Sequence, residues 1–339
     1  MVFFNVRDVV VDFIAVATRG NTMAMVLPRV ATAIKSTTTS RTLKNTILSR
    51  SLSSLEKSSD EQLGTTLLQG PSMLVNTGAG VSRPNPSLFY LPGLRSLPFW
   101  TPPHSADGGG KNNSVAFNDP TLKGIVTHVE SYADAIREEY LTCCDIVKSD
   151  YDGASDSGER ALHTGQWDWH SYILNGKKQL PFTEVCPITT QCLREIDPNV
   201  FFDKTPFAFA FFSTLNSNTS IKAHTGPMNL RLRFHLPLIA PTTNNVHNPP
   251  KEKKPYKCGI RCGNQYRQWV PNKAIILDDS YDHEVWNDFE EIPGNDKGND
   301  NRRAVLLFDV WHPDISLFER KNIERMFEYA KHQGWIGKQ

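Results

Sequence analysis

Along residues 229–238 apolar and polar side chains alternate, with Leu230, Leu232, Phe234, Leu236 and Leu238 on one parity and Asn229, Arg231, Arg233 and His235 on the other. Strand side chains point to opposite faces with period two, so the pattern predicts a strand whose two arginines and histidine share one face. Apolar runs at 207–212, 274–277 and 304–310, each bounded by Pro, Asn, Asp or Ser clusters, predict further strands. Together these predict an antiparallel β domain, a sandwich or jelly roll. Upstream, Ile125, Val129, Tyr132, Ile136 and Tyr140 recur at helical spacing and predict one amphipathic helix packed on that body. Downstream, Ser316-Leu-Phe-Glu319 has the capping-box form, which predicts a final helix.

The first part of the chain has a different composition. Residues 13–55 contain no Asp or Glu, while Arg19, Arg29, Lys35, Arg41, Lys44 and Arg50 are spread through a Ser/Thr-rich stretch. That is transit-peptide composition, so residues 1–60 are read as a transit-like or disordered segment. It points to a mitochondrion or plastid, with the ER lumen or cytoplasm as alternatives. Residues 61–120 are rich in Pro and Gly and predict loops that coat the core. The domain proper is expected over 121–339, with its β core at about 165–313.

The 339-residue chain carries 37 Lys+Arg against 36 Asp+Glu, so it has no basic field to draw in nucleic acid. The most apolar stretch, 2–17, is broken by Arg7, Asp8 and Asp12, so no membrane-spanning helix is expected. Six cysteines are too few for a disulfide scaffold, and none forms a zinc-type CxxC pair. Cys258 and Cys262, four extended residues apart, are separated by roughly 13 Å and need a bend to pair. Cys186 and Cys192 either close a small loop or stay free.

Taken alone, the polar face of 229–238 meets water, as on most half-buried antiparallel strands. Its setting offers another reading, because His224 precedes the strand and His283 follows the apolar run at 274–277. Neutral imidazole ligates Fe(II), Zn(II) or Cu(II), and adjacent guanidinium groups suit a dicarboxylate.

The chain resembles the aspartyl/asparaginyl β-hydroxylase family of 2-oxoglutarate oxygenases. The matching pieces are Gly165-Gln-Trp167, His224-Thr-Gly-Pro-Met-Asn-Leu-Arg-Leu-Arg-Phe-His235, Cys258-Gly-Ile-Arg-Cys262 with Trp269, Asp278-Asp-Ser-Tyr-Asp-His283-Glu-Val-Trp286 and Phe308-Asp-Val-Trp-His-Pro313. The resemblance implies a double-stranded β-helix, a cupin-like jelly roll with flanking helices. It implies Fe(II) held by His224 and His283, with 2-oxoglutarate and O2 as cosubstrates. It implies that Arg233 and His235 contact the iron-chelating end of oxoglutarate, that Arg303 with Ser213 holds its distal carboxylate, and that Arg231 faces the substrate. Counting back from Phe308-Asp-Val-Trp-His favours Arg303 over its neighbour Arg302 for that role.

Most relatives in the wider superfamily have a carboxylate ligand two residues after the first histidine, where this chain has Gly226. Asp279 either hydrogen-bonds a metal-bound water in its place or makes an Asx turn after the strand. The connection at 289–301 is longer than the family's and is read as a solvated insertion. The implied reaction is hydroxylation of the β-carbon of Asp or Asn in a peptide or protein, possibly EGF-like. Hydroxylation of a lipid acyl chain or small molecule, and non-catalytic oxoglutarate sensing, are the alternatives.

Overall fold

The computed structural model describes residues 83–103, 118–151, 162–241, 254–291 and 301–334, and the backbone of three strands nearer the N-terminus. Those are β1 (Val2–Val6), β2 (Val9–Ala17) and β3 (Met23–Val26), and β3 pairs in parallel with β4 (Phe89–Tyr90). The rest of the transit-like stretch, much of the Pro/Gly-rich region and the centre of the 289–301 insertion lie outside the described residues.

Helices α1 (Pro120–Ser131) and α2 (Ala133–Ile146) stand where the spacing predicts one helix. At the junction Tyr132 N bonds Val129 O at 3.2 Å, and Ser131 Oγ donates back to His128 O at 2.6 Å. Back-bonding of this kind bends a helix without interrupting its apolar stripe, and Ile125, Val129, Ile136 and Tyr140 are all buried. Next come β5 (His163–Thr164), β6 (Trp167–Leu174), β7 (Lys177–Lys178), α3 (Leu180–Val185) and α4 (Pro187–Arg194). The last two helices are too short for periodicity to reveal them. The start of α4 is held from outside, because Glu139 on α2 accepts from Ile188 N at 2.6 Å and Thr189 N at 2.7 Å.

The remaining strands are β8 (Ala210–Leu215), β9 (Thr219–His224), β10 (Arg231–Ile239), β11 (Cys258–Cys262), β12 (Gln265–Arg267), β13 (Ile275–Leu277), β14 (His283–Asn287) and β15 (Arg303–Trp311). Helix α5 (Leu317–His332) follows with its Ser316–Glu319 capping box formed. One sheet has the order β13-β10-β15-β8-β6-β7 and the other β12-β11-β14-β9-β5. From β8 to β15 the chain therefore crosses repeatedly between two antiparallel sheets, which is the double-stranded β-helix. All six cysteines are free.

The alternation on β10 sorts two environments. Its even-numbered apolar residues join Ile136, Tyr140 and Leu193 in a core beneath the helices, and a second core between the sheets contains Phe211, Ile260, Leu277 and Val305. The polar face does not meet water. It points between the sheets, where Arg231 and His235 are 1% and 5% exposed, because helices cover the outer face that the sequence leaves apolar.

Segment 83–103 braces the loops at one end of this barrel. Asn85 N donates to Ser280 O at 2.7 Å, Ser87 N to Gly226 O at 3.0 Å, and Asp278 N to Pro98 O at 3.1 Å. The loops so tied carry His224, Asp279 and His283.

Candidate metal and dicarboxylate site

Strand register lays the inward-facing residues along the barrel in rungs. On β10 and β15, Arg231 pairs with Trp311, Arg233 with Asp309 and His235 with Leu307. Across β15 and β8, Leu307 pairs with Phe211, Val305 with Ser213 and Arg303 with Leu215. The six steps along the strand from Asp309 to Arg303 span about 20 Å, so charged groups stand at both ends with His235 between them. A cavity of about 850 Å³ runs through this interior, and all eight residues singled out from the sequence (Ser213, His224, Arg231, Arg233, His235, Asp279, His283 and Arg303) line it.

His224 ends β9 and His283 begins β14, and the two pair directly across the sheet. Their ring centroids lie 4.2 Å apart with an interplanar angle of 50°. Each Nδ1 faces a main-chain carbonyl two residues back, Lys222 O at 2.8 Å and Tyr281 O at 2.9 Å. A carbonyl only accepts, so Nδ1 carries the proton and Nε2 keeps its lone pair in both rings. Burial lowers the pKa of His224, and burial together with the neighbouring ring pushes His283 down to about 3. Both imidazoles are therefore in the neutral form that binds metal.

Asp279 is 0% exposed and turns into the site. Its Oδ2 receives Arg231 Nη2 at 2.8 Å and Arg233 Nη1 at 3.2 Å, while Oδ1 is buried without a partner among the described residues. Burial works to raise this carboxyl, but the two guanidinium groups outweigh it and hold it well below the usual carboxylate range. The Asx turn belongs to its neighbour, since Asp278 Oδ1 accepts from Ser280 N at 3.0 Å. Asp309 completes a four-charge cluster. It accepts Arg233 Nε at 2.9 Å and Nη2 at 3.0 Å, and pairs with Arg231 Nη1 at 2.8 Å. Arg231 is also tied to the main chain through Phe207 O. Two arginines and two aspartates cancel.

Arg303 is what that cancellation leaves over. It is 2% exposed, and among the described residues no carboxylate pairs with it. Its Nη1 donates to Ser213 O at 2.9 Å and Ser213 Oγ at 3.3 Å, its plane lies 4.9 Å over the Trp269 ring, and its Nε has no partner. Burial lowers its pKa to about 10, so it is still a cation at pH 7. Beside it, both ring nitrogens of buried His235 are without partners among the described residues, and burial with the Arg303 and Arg233 charges keeps that ring neutral. Arg302 instead lies 5.6 Å over Tyr140, against α2.

These donors pass a chemical test for the groups the sequence implies. Two convergent neutral imidazoles beside a free carboxylate oxygen suit a divalent transition metal. A buried cation with spare N–H donors and a hydroxyl suits a carboxylate. Sequence reasoning missed Asp309, although its signal is legible: an acidic residue inside an apolar strand, on the same parity as Arg303.

The fold and site define a double-stranded β-helix protein whose cavity holds two facing neutral histidines and a buried guanidinium. Residues 130–313, more than half of the 339, match the model of the aspartyl/asparaginyl beta-hydroxylase family, and the chain belongs to it. It is 27% identical over 237 residues to the mouse aspartyl/asparaginyl beta-hydroxylase, covering 70% of this chain and 26% of that protein. The chain thus spans about a quarter of the length of that relative. It is 32% identical over 147 residues to a Rhizobium tropici ornithine lipid ester-linked acyl 2-hydroxylase, covering 43% of this chain and 42% of that one. A solved Pseudomonas putida prolyl-4-hydroxylase aligns with 56% of this chain and 98% of its own, at 11% identity and a TM-score of 0.27.

Proposed function

We propose that the chain is an Fe(II)- and 2-oxoglutarate-dependent dioxygenase that hydroxylates the β-carbon of an Asp or Asn residue in a peptide or protein. The observation that carries this is the pairing of two ends of one cavity, free imidazole lone pairs at one and an uncompensated buried guanidinium at the other. Iron and oxoglutarate, when bound, supply the O2-dependent oxidation of a C–H bond.

The chain's residues supply position and charge. His224 and His283 hold the metal. Arg303 and Ser213 take the distal carboxylate of oxoglutarate, and His235, with Arg233 near it, serves the chelating end. Arg231 fixes Asp279 beside the metal and lines the cavity toward the substrate. Exposed Lys177 and Lys331 also line the cavity, which favours a substrate with an acidic side chain.

A second reading, oxidation of a lipid acyl chain, is supported by Phe207, Phe209 and Phe211, which line the cavity at alternate positions as an apolar wall. The test is anaerobic addition of Fe(II) and 2-oxoglutarate, then air, with succinate measured against EGF-like peptides and against acyl lipids. Peptide-dependent succinate with a mass increase of one oxygen supports the first reading; the same signal from lipids alone replaces it with the second. Tight oxoglutarate binding with no succinate from any substrate would leave a sensor.

A further inference from the structure

Two residues of the sequence motifs, Asn229 and His312, lie outside the cavity lining, and both are buried. Asn229 stands just before β10, where its side-chain amide makes a two-bond pair with the main chain of Leu91. Its Oδ1 accepts from Leu91 N at 2.8 Å and its Nδ2 donates to Leu91 O at 2.9 Å. A neighbouring antiparallel strand exchanges the same two bonds, so this side chain stands in for one rung of a ladder. One residue past β15, His312 accepts from Asp314 N on Nδ1 and so keeps its proton on Nε2, which donates to Arg95 O at 2.9 Å. Asp314 in turn accepts from Arg95 N and Arg95 Nε, both at 2.8 Å. Both grips close on segment 83–103, which lies outside the family-matched residues 130–313.

The gripped segment holds both histidine loops. Ser87 N donates to Gly226 O at 3.0 Å, and Leu88 N and Phe89 N donate to Pro227 O at 3.0 and 2.8 Å, which fixes the loop after His224. Asn85 N donates to Ser280 O at 2.7 Å, Asp278 N donates to Pro98 O at 3.1 Å, and Ser96 Oγ shares a 2.6 Å hydrogen bond with Tyr281 OH. Tyr281 is the residue whose carbonyl takes the His283 Nδ1 proton. The β9–β14 ladder shifts register between His283 and Val285, so regular pairing breaks where the two rings meet. The segment supplies main-chain bonds at the end of the barrel where the ladder is irregular.

We propose that segment 83–103 is a positioning strap that holds His224 and His283 in register for one metal ion, and that Asn229 and His312 are the positioning residues that clamp it. The proposal rests on the metal reading above and deepens it, by assigning the ligand geometry to two side chains that touch neither metal nor substrate. Linkage makes the effect reciprocal: a strap that favours metal binding is itself made firmer when metal binds.

The experiment titrates Co(II), a coloured divalent probe, into the full chain and into Asn229→Ala, His312→Ala and Phe182→Leu. The last is the control, since its ring packs on Tyr172 and Phe212 under the helices. Each clamp variant is expected to bind Co(II) about tenfold more weakly, the scale of groups that orient metal ligands, and to shift the visible absorption of the bound ion. Phe182→Leu should stay within about twofold in affinity with an unchanged spectrum. A second readout needs no variant: in the unsubstituted chain Co(II) should slow amide hydrogen exchange at Asn85, Ser87, Phe89 and Asp278, and so it decides even where a clamp variant fails to fold. Unchanged Co(II) affinity in both clamp variants, an equal loss in the control, or strap amides that Co(II) leaves unmoved overturns the proposal. If the unsubstituted chain binds no Co(II), the metal reading fails first and this falls with it.

Discussion

The carboxylate of Asp279 fills the space that a side chain on Gly226 would need. A Cβ built on Gly226 falls 2.6 Å from Asp279 Cγ and 2.7 and 2.8 Å from its two oxygens, and Gly226 N donates to Asp279 O at 2.6 Å. The glycine is therefore a packing requirement. The loop between β13 and β14 thus places a carboxylate against Gly226 in the loop between β9 and β10. Gly226→Ala should push Asp279 off Arg231 and Arg233, lowering stability by about 1–3 kcal/mol and Fe(II) affinity by about tenfold or more. Urea denaturation and metal titration read the two effects, and wild-type values for both would contradict the contact.

Among the described residues, buried Arg303 has no carboxylate partner. Replacing it with methionine keeps the apolar stem and removes a buried charge, so the ligand-free protein should be as stable as before or more so, by up to about 1–4 kcal/mol. Oxoglutarate binding should lose about 2–5 kcal/mol, since a buried charge pair is then broken on one side. Thermal unfolding and calorimetry together make the test. A large loss of stability in the ligand-free variant would mean that Arg303 is structural.

Much of this site is written in parity. Arg231, Arg233 and His235 share one face of β10 because they alternate with leucines, and the structure keeps them together. Which face is inside is not written there: an apolar face packs equally well under helices or against a second sheet, and only the helices over Leu232 and Phe234 decide it. Strand ends shift for a related reason. The apolar run at 207–212 becomes Ala210–Leu215, since hydrogen-bonded neighbours on both sides, β6 and β15, fix the strand, and they carry it through Ser213 and Thr214. The roles of Asp278 and Asp279 are legible only in three dimensions, because either aspartate of the pair is able to make the turn.

Asp309 neutralises two arginines at once, so its removal should be costly in a way its own burial does not predict. Asp309→Asn leaves buried Arg231 and its neighbour Arg233 facing one carboxylate, and stability should fall by about 3–5 kcal/mol. Adding Arg231→Met to that variant should restore part of the loss, because the two side chains are in contact and their effects are not additive. Urea denaturation of the four proteins of the cycle gives the coupling directly. Simple additivity would show that the cluster is not the unit described above.

His312, on the turn after β15, gives a pH dependence with a defined sign. Its Nε2 faces Arg95 O at 2.9 Å and its Nδ1 accepts from Asp314 N at 3.2 Å, so the neutral ring is fully satisfied. Burial pushes its pKa from 6.5 down to about 4. The unfolded chain therefore takes up this proton first, and the stability held above pH 6.5 is lost as pH falls toward 4, at about 1.4 kcal/mol per unit. Asp278 acts in the opposite sense: burial raises its carboxyl to about 7, so stability is gained as pH falls below that value. The total slope mixes these two with other shifted groups, the buried His224, His235 and His283 among them, and the difference between proteins isolates His312. From pH 7 to pH 5 the unsubstituted protein should lose about 2 kcal/mol more than His312→Gln. Parallel curves for the two proteins would mean that the ring takes up its proton at the same pH in the folded and unfolded chains.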